Sequence, residues 1–229
     1  GLLSLSAFPD ADDSTLLEHA RAVAEVIPLM GFYLQPSVGG RVLSYEFWRE
    51  FCSIENVAAI KVAPFNRYQT LAVVRAVMES ERRKKIALYT GNDDNIIGDL
   101  LSINEAPGGR KSRSVRFVGG LLGHWAVWTR RAYDYLGECR RLSAERRLPI
   151  PEYMLVLNNQ VTDANGAFFD AGNNFALSAV IDRLNSTNRE DVNILRKFDT
   201  RRPAIGRVNL PACPIDWHVV VGQALEMIF

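Results

Sequence analysis

The stretch "NVAAIKVAPFNRYQT", residues 56–70, decides the fold. Val57 to Ile60 is an apolar run, Lys61 interrupts it, Val62-Ala63 resumes it and Pro64 ends it. A short apolar run closed by proline reads as a buried strand over 57–63. Directly after it, "YQTLAVVRAVMESERRK" (68–84) carries apolar residues at helical spacing. A strand that feeds a helix is one βα unit, and outward in both directions the unit repeats. "GLLSLSAF" (1–8) reads as a strand and "DDSTLLEHARAVAEVI" (12–27) as a helix with Ser14 or Thr15 as its N-cap. "PLMGFYLQP" (28–36) is a strand ended by Pro36 and Gly39-Gly40, and "SYEFWREFCSI" (44–54) is a helix capped by Ser44. On the other side come the strand "KIALYTG" (85–91), the short helix "DNIIGDLLSI" (94–103) and "VRFVGGLLGHWAVW" (115–128), a strand entering a helix.

Strands therefore recur about every 27 to 29 residues, each followed by a helix. That rhythm predicts α/β architecture with a parallel sheet, whose strands are covered on both faces and so read as continuous apolar runs. Beyond about Arg130 the strand signals fade. Helical patterns cover 131–147 and 151–185, a Pro-punctuated loop covers 201–214, and a last helix spans 216–228. The predicted organisation is a βα-repeat region over 1–130 and a helical region over 131–229.

Composition narrows the function. The chain of 229 residues is 48% hydrophobic and 23% charged, ordinary for a globular protein with a sizeable core. A formal net charge of +1 gives no reason to expect nucleic acid or an anionic membrane as partner. No apolar run approaches the roughly 20 residues needed to cross a bilayer. Cys52, Cys139 and Cys213 are scattered and odd in number, which fits reduced thiols in a cytoplasmic protein rather than a disulfide framework or a zinc site.

In parallel sheets ligands bind at the carboxyl ends of the strands. The residues there are Phe8, Tyr33, Lys61, the run Gly91-Asn92-Asp93-Asp94, and Gly119-Gly120 with Gly123. Lys61 has two readings. It is a side chain that snorkels or pairs with a carboxylate, or it is a nucleophile or base. An ordinary lysine, with pKa near 10.4, is neutral in only about one molecule in a few thousand at pH 7. Desolvation among Ala58, Ala59, Ile60, Val62 and Ala63 would lower that pKa and free the amine to attack a keto group. Tyr33 is either a buried aromatic with a satisfied hydroxyl or a proton shuttle one strand away, about 4.8 Å across the sheet.

On these residues the chain resembles the dihydrodipicolinate synthase and N-acetylneuraminate lyase superfamily, whose members are (β/α)8 barrels with class I aldolase-type chemistry. Their Tyr-x-x-Pro-x-x-x-Gly segment is matched by Tyr33-Leu34-Gln35-Pro36-Ser37-Val38-Gly39-Gly40, and their lysine strand by Ala59-Ile60-Lys61, 28 residues after Tyr33. "YTGNDD" (89–94) is similar to the Gly-x-Asp segment of the next strand, and "VGGLLGHWA" (118–126) to the Gly-rich eighth strand. "FDAGNNFALSAVIDRL" (169–184) and "GRVNLPACP" (206–214) resemble parts of the C-terminal extension. The resemblance implies a TIM barrel of which strands 4–8 are present, followed by a helical C-terminal extension. It implies that Lys61 forms a Schiff base with a 2-oxo acid such as pyruvate or a keto-sugar acid, in an aldolase or dehydratase reaction that uses no cofactor or metal. Tyr33 would relay protons, and Gly91, Asp93, Asp94, Gly120 and Leu121 would face the substrate. The expected partner is a small-molecule 2-oxo acid, and the expected assembly is a homo-oligomer, a dimer or tetramer.

The departures are specific. Leu34 stands where an asparagine is usual. Val38 stands where dihydrodipicolinate synthases carry an arginine for a substrate carboxylate, and valine makes no such contact. Phe8 and Pro9 occupy the place of a second relay tyrosine, and neither carries a proton. If "GLLSLSAF" is the fourth strand, strands one to three belong to a longer chain or to another polypeptide.

Other features point less far. The stretch "RRLSAERR" (140–147) reads as a solvated helix face because Glu138 and Glu145 interleave, and "GGRKSR" (108–113) reads as an exposed loop. His19, His124 and His218 lack metal-ligand spacing, although His124 falls just past a strand end. "GGLLG" (119–123) lacks the G-x-G-x-x-G order of a dinucleotide site. The rival to an enzyme is a non-catalytic barrel that binds a sugar acid or serves in an assembly.

Overall fold

The computed structural model of the chain describes residues 1–106, 114–120, 129–145 and 149–170. The chain divides into two compact units, Gly1–Asn92 with Gly98–Leu121 and Asp93–Ile97 with Leu122–Phe229.

The first unit is α/β. Its strands are β1 (Leu2–Ser4), β2 (Leu29–Leu34), β3 (Val57–Ala63), β4 (Ala87–Thr90) and, after a two-residue pair β5 (Asn104–Glu105) and β6 (Ser114–Val115), β7 (Phe117–Gly120). Helices α1 (Asp13–Ala24), α2 (Tyr45–Ser53), α3 (Arg67–Glu79) and α4 (Ile96–Leu101) lie between them in sequence. The sheet has the order β1-β2-β3-β4-β7, every pairing parallel. Chain order is thus spatial order, as successive βα units require. Among the described residues this sheet does not close on itself. The antiparallel β5–β6 pair was not expected from the sequence; at two residues per strand it has no periodicity to read.

Local chemistry sets the boundaries. α1 is capped two or three residues earlier than expected, because the Asp12 carboxylate accepts from the Thr15 N–H at 2.8 Å and from Ser14 Oγ at 2.9 Å. That capping holds the Asp12 carboxyl below its usual range. Ser44 caps α2 as expected, accepting from the Phe47 N–H at 2.9 Å. α3 stops at Glu79 rather than at residue 84. Arg82 then turns inward and donates to the carbonyls of Cys52, Ile54, Glu55 and Val57, satisfying the end of α2 and the start of β3.

The two faces of the sheet differ. Leu29, Gly31 and Tyr33 point toward the helices, with Ile60 and Val62 beside them. Against this face α2 packs Phe47, Trp48 and Phe51, each 1% exposed. Gly31 is required here, because a Cβ would sit 2.7 Å from the Phe51 ring. The opposite face carries Leu2, Met30, Phe32, Lys61 and Tyr89, of which Leu2 is 55% exposed.

The second unit contains α5 (Thr129–Ala144) and α6 (Glu152–Asp170). Along α5, Arg141 lies 3.6 Å from Glu138 and 3.8 Å from Glu145, the interleaving read from the sequence. Cys52 and Cys139 are free and buried, and burial pushes both thiols up to about 12, so neither is a nucleophile near neutral pH. Cys213, His124, His218, the loop 108–113 and the segments 171–229 fall outside the described residues. No helix among the described residues is long and apolar enough to cross a membrane.

Candidate active site

Lys61 lies two residues from the carboxyl end of β3, the central strand of the sheet. Its Cα pairs with Phe32 on one side and with Tyr89 on the other. It is half-buried, not enclosed as its apolar neighbours in sequence imply. The reason is the pleat. Ile60 and Val62, both 0% exposed, face the helices, and Lys61 points the other way. The ammonium lies 4.4 Å from the centre of the Phe32 ring, a cation–π contact.

Tyr33 does not meet Lys61. The first rung of β2 and β3 pairs Leu29 with Val57, a separation of 28 residues. The register then shifts, and from Met30–Ala59 onward the separation is 29, leaving Ala58 as an extra, exposed residue. An unshifted ladder would set Tyr33 opposite Lys61. The actual ladder sets Tyr33 opposite Val62, on the helix-facing side, and gives Phe32 the place beside the amine. The expected Tyr33–Lys61 pair is therefore corrected by one residue of register.

Tyr33 has a different setting. It is 0% exposed and its ring lies 5.2 Å from that of Trp48. Its hydroxyl accepts from the Leu43 N–H at 3.1 Å and donates to the Leu43 carbonyl at 3.3 Å. Burial raises its pKa, opposed by the hydrogen bond with Leu43. The folded state thus favours the neutral phenol. This contribution is intact below the ordinary tyrosine value near 10 and is lost as pH rises beyond it. Tyr33→Phe is expected to cost about 1–2 kcal/mol in urea unfolding, since it orphans the buried Leu43 N–H. It is expected to leave the reactivity of Lys61 within about twofold, because no bond runs from Tyr33 to the open face.

Tyr89 is the phenol that sequence reasoning missed. It shares a row and a face with Lys61 and is 7% exposed. Gly119 makes room for it, since a Cβ there would lie 2.9 Å from the Tyr89 ring. Its only sequence signal was its place two residues before Gly91, obscured by taking Gly91 as the strand end.

The remaining expected residues are dispersed. The Gly91 N–H donates to the Val62 carbonyl at 2.8 Å, extending the β3–β4 ladder. Gly120 pairs with Thr90 at the end of β7, and Leu121 is outside the described residues. Asp93 and Asp94 belong to the second unit, where Thr162 Oγ1 donates to the Asp94 carbonyl at 2.8 Å. Val38 is 46% exposed. The Phe8 ring lies 4.8 Å from that of His19, and Arg41 secures this loop by donating to the carbonyls of Phe8 and Ala11 at 3.1 and 2.6 Å. Among the described residues no group of His, Cys, Asp and Glu is arranged to hold a metal ion.

No protein-family model matches the sequence, and no curated protein does. Among solved structures, a variant of the Sulfolobus solfataricus 2-keto-3-deoxygluconate aldolase matches with a TM-score of 0.50 and 14% identity, over 96% of this chain and 60% of that one. A second variant of that aldolase gives a TM-score of 0.49 at 16% identity, over the same shares of the two chains. A pyruvate complex of a third variant gives 0.48 at 14%, again over 96% and 60%. The chain thus spans 60% of the length of the structures it matches. At such identity the first likeness is one of fold.

Proposed function

We propose that this chain is part of a (β/α)8-barrel lyase in which Lys61 forms a Schiff base with a 2-oxo acid. In this reading β1, β2, β3, β4 and β7 are strands four to eight of the barrel. The observation that carries it is the position of Lys61. A partly exposed amine stands near the carboxyl end of a central parallel strand, on the face away from the helices. The fold likeness to a 2-keto-3-deoxygluconate aldolase agrees with this class of chemistry and with a 2-keto-3-deoxy sugar acid as substrate.

The chemistry follows from the amine. Neutral Lys61 attacks the keto carbon, the carbinolamine loses water, and a protonated imine forms. That imine accepts the electron pair released when the bond beyond the α-carbon breaks. Phe32, lying against the amine, supplies an apolar wall on one side. Tyr89, on the other side of Lys61 in the same row, carries protons to and from the carbinolamine. The test is borohydride trapping of the full-length protein with pyruvate and with keto-sugar acids, followed by peptide mapping. An adduct on Lys61 supports the reading, and its absence from the folded protein refutes it.

A further inference from the structure

A buried polar cluster begins at Thr90, which pairs with Val62 one rung of the β3–β4 ladder past Lys61. Thr90 and Asp99 are 0% exposed, Thr70 1% and Asn92 2%. Asp99 Oδ2 accepts from Thr90 Oγ1 at 2.6 Å and from Asn92 Nδ2 at 2.9 Å, while Asp99 Oδ1 takes a charge-assisted bond from Arg67. Asn92 Nδ2 also donates to Thr70 Oγ1 at 3.0 Å, and the Asn92 N–H donates to Thr90 Oγ1 at 3.2 Å. A carboxylate only accepts, so the Asn92 amide nitrogen must face Asp99 and its oxygen must face the other way. That oxygen accepts from the Phe65 N–H at 3.2 Å.

Phe65 is the one described non-glycine residue with positive φ, at 50°. For a bulky aromatic this is a strained backbone that persists only where its surroundings enforce it. The enforcing contacts are adjacent. Pro64 offers no N–H, so Phe65 supplies the first donor after β3. The Gly91 N–H holds the Val62 carbonyl at 2.8 Å, and Asn92 Oδ1 holds the Phe65 N–H. The stretch that begins one residue after Lys61 is thus clamped at two points to the two residues that follow β4.

We infer that Asn92 is a positioning residue for Lys61. Its amide, oriented by Asp99, holds the β3–α3 turn in a strained conformation and so fixes the carboxyl end of the strand that carries the amine. The role rests on the reading of Lys61 as the reacting group. Asn92 touches neither the amine nor the substrate. It acts through the backbone from Val62 to Phe65, and removing it loosens the angle at which the amine meets a keto carbon. Misplacement of about 1 Å at a reacting group costs on the order of a hundredfold in rate.

The experiment compares Asn92→Ala with Thr70→Val in the full-length protein. Both variants break a buried bond of the cluster, and only the first releases Phe65. The readouts are amide hydrogen exchange over residues 62–67 and the rate of borohydride-trapped adduct formation against pyruvate concentration. Asn92→Ala is expected to speed exchange at Phe65 and to lower the saturating trapping rate about ten- to a hundredfold, with little change in the half-saturating concentration. Thr70→Val is expected to leave both within about twofold. Equal slowing in the two variants, or faster exchange at Phe65 with an unchanged trapping rate, would overturn the inference. No adduct in the unsubstituted protein is a different failure, that of the amine reading itself.

Discussion

Lys61→Ala is expected to abolish the borohydride-trapped adduct with pyruvate and with 2-keto-3-deoxy sugar acids, not merely to weaken it. An imine needs a primary amine at the site, and alanine has none. Lys61→Arg is expected to be as inactive, because a guanidinium keeps the charge but is always protonated and is no nucleophile. The pair of variants separates a covalent role from one in which the positive charge holds a substrate carboxylate. In the second case arginine would retain binding and alanine would not. Other described lysines provide the internal control. Lys84 and Lys85 are exposed and lie outside the strands of the sheet. A peptide map with the adduct spread over several lysines, or undiminished in Lys61→Ala, would refute the proposed chemistry. Both substitutions fall at a partly exposed position on the face away from the helices, so folding should survive them.

The largest effect on stability is expected at Trp48. Its ring is 1% exposed and meets Tyr33 at 5.2 Å, Phe47 at 5.2 Å and Phe51 at 5.5 Å. Trp48→Ala is expected to cost about 3–5 kcal/mol in urea unfolding followed by circular dichroism, the lost transfer energy plus a cavity that the strand behind it cannot fill. Trp48→Phe is expected to cost much less, about 1 kcal/mol. It keeps most of the aromatic contact and removes an indole N–H that is buried without a hydrogen-bond partner among the described residues. If alanine cost under about 1 kcal/mol, the α2 aromatic cluster would not be the core of this face. Tyr33 would then lack the packing that the ring contacts imply.

The order of strands and helices was legible because apolar runs and helical spacing alternate at a steady interval. The parallel sheet and its strand order follow from that rhythm. Lys61 was legible as a strand residue because a charge inside an apolar run is conspicuous. The identity of its neighbours was not. Adjacency of strands can be read from spacing, but the side of the sheet depends on the parity of the register, and one unpaired residue reverses it. Spacing puts Tyr33 on the strand beside Lys61, and the register turns it to the helix-facing side and sets Phe32 and Tyr89 beside the amine. Asn92 looked like one polar residue in a row of them, since nothing in "TGNDD" separates the side chain that turns inward from those that do not. The start of α1 was missed because Asp12, Ser14 and Thr15 are all good N-caps, and only the hydrogen bond to the Thr15 N–H selects among them.

The extra residue at Ala58 has a consequence for how such chains diverge. Inserting or deleting one codon in a strand changes which side chains meet across a sheet while altering none of them. In this sheet the step exchanges a phenol for a phenyl ring beside the amine. A motif transferred between relatives by residue count alone crosses from one side of the sheet to the other at this point. An alignment of β3 is meaningful only when its gap is assigned to Ala58.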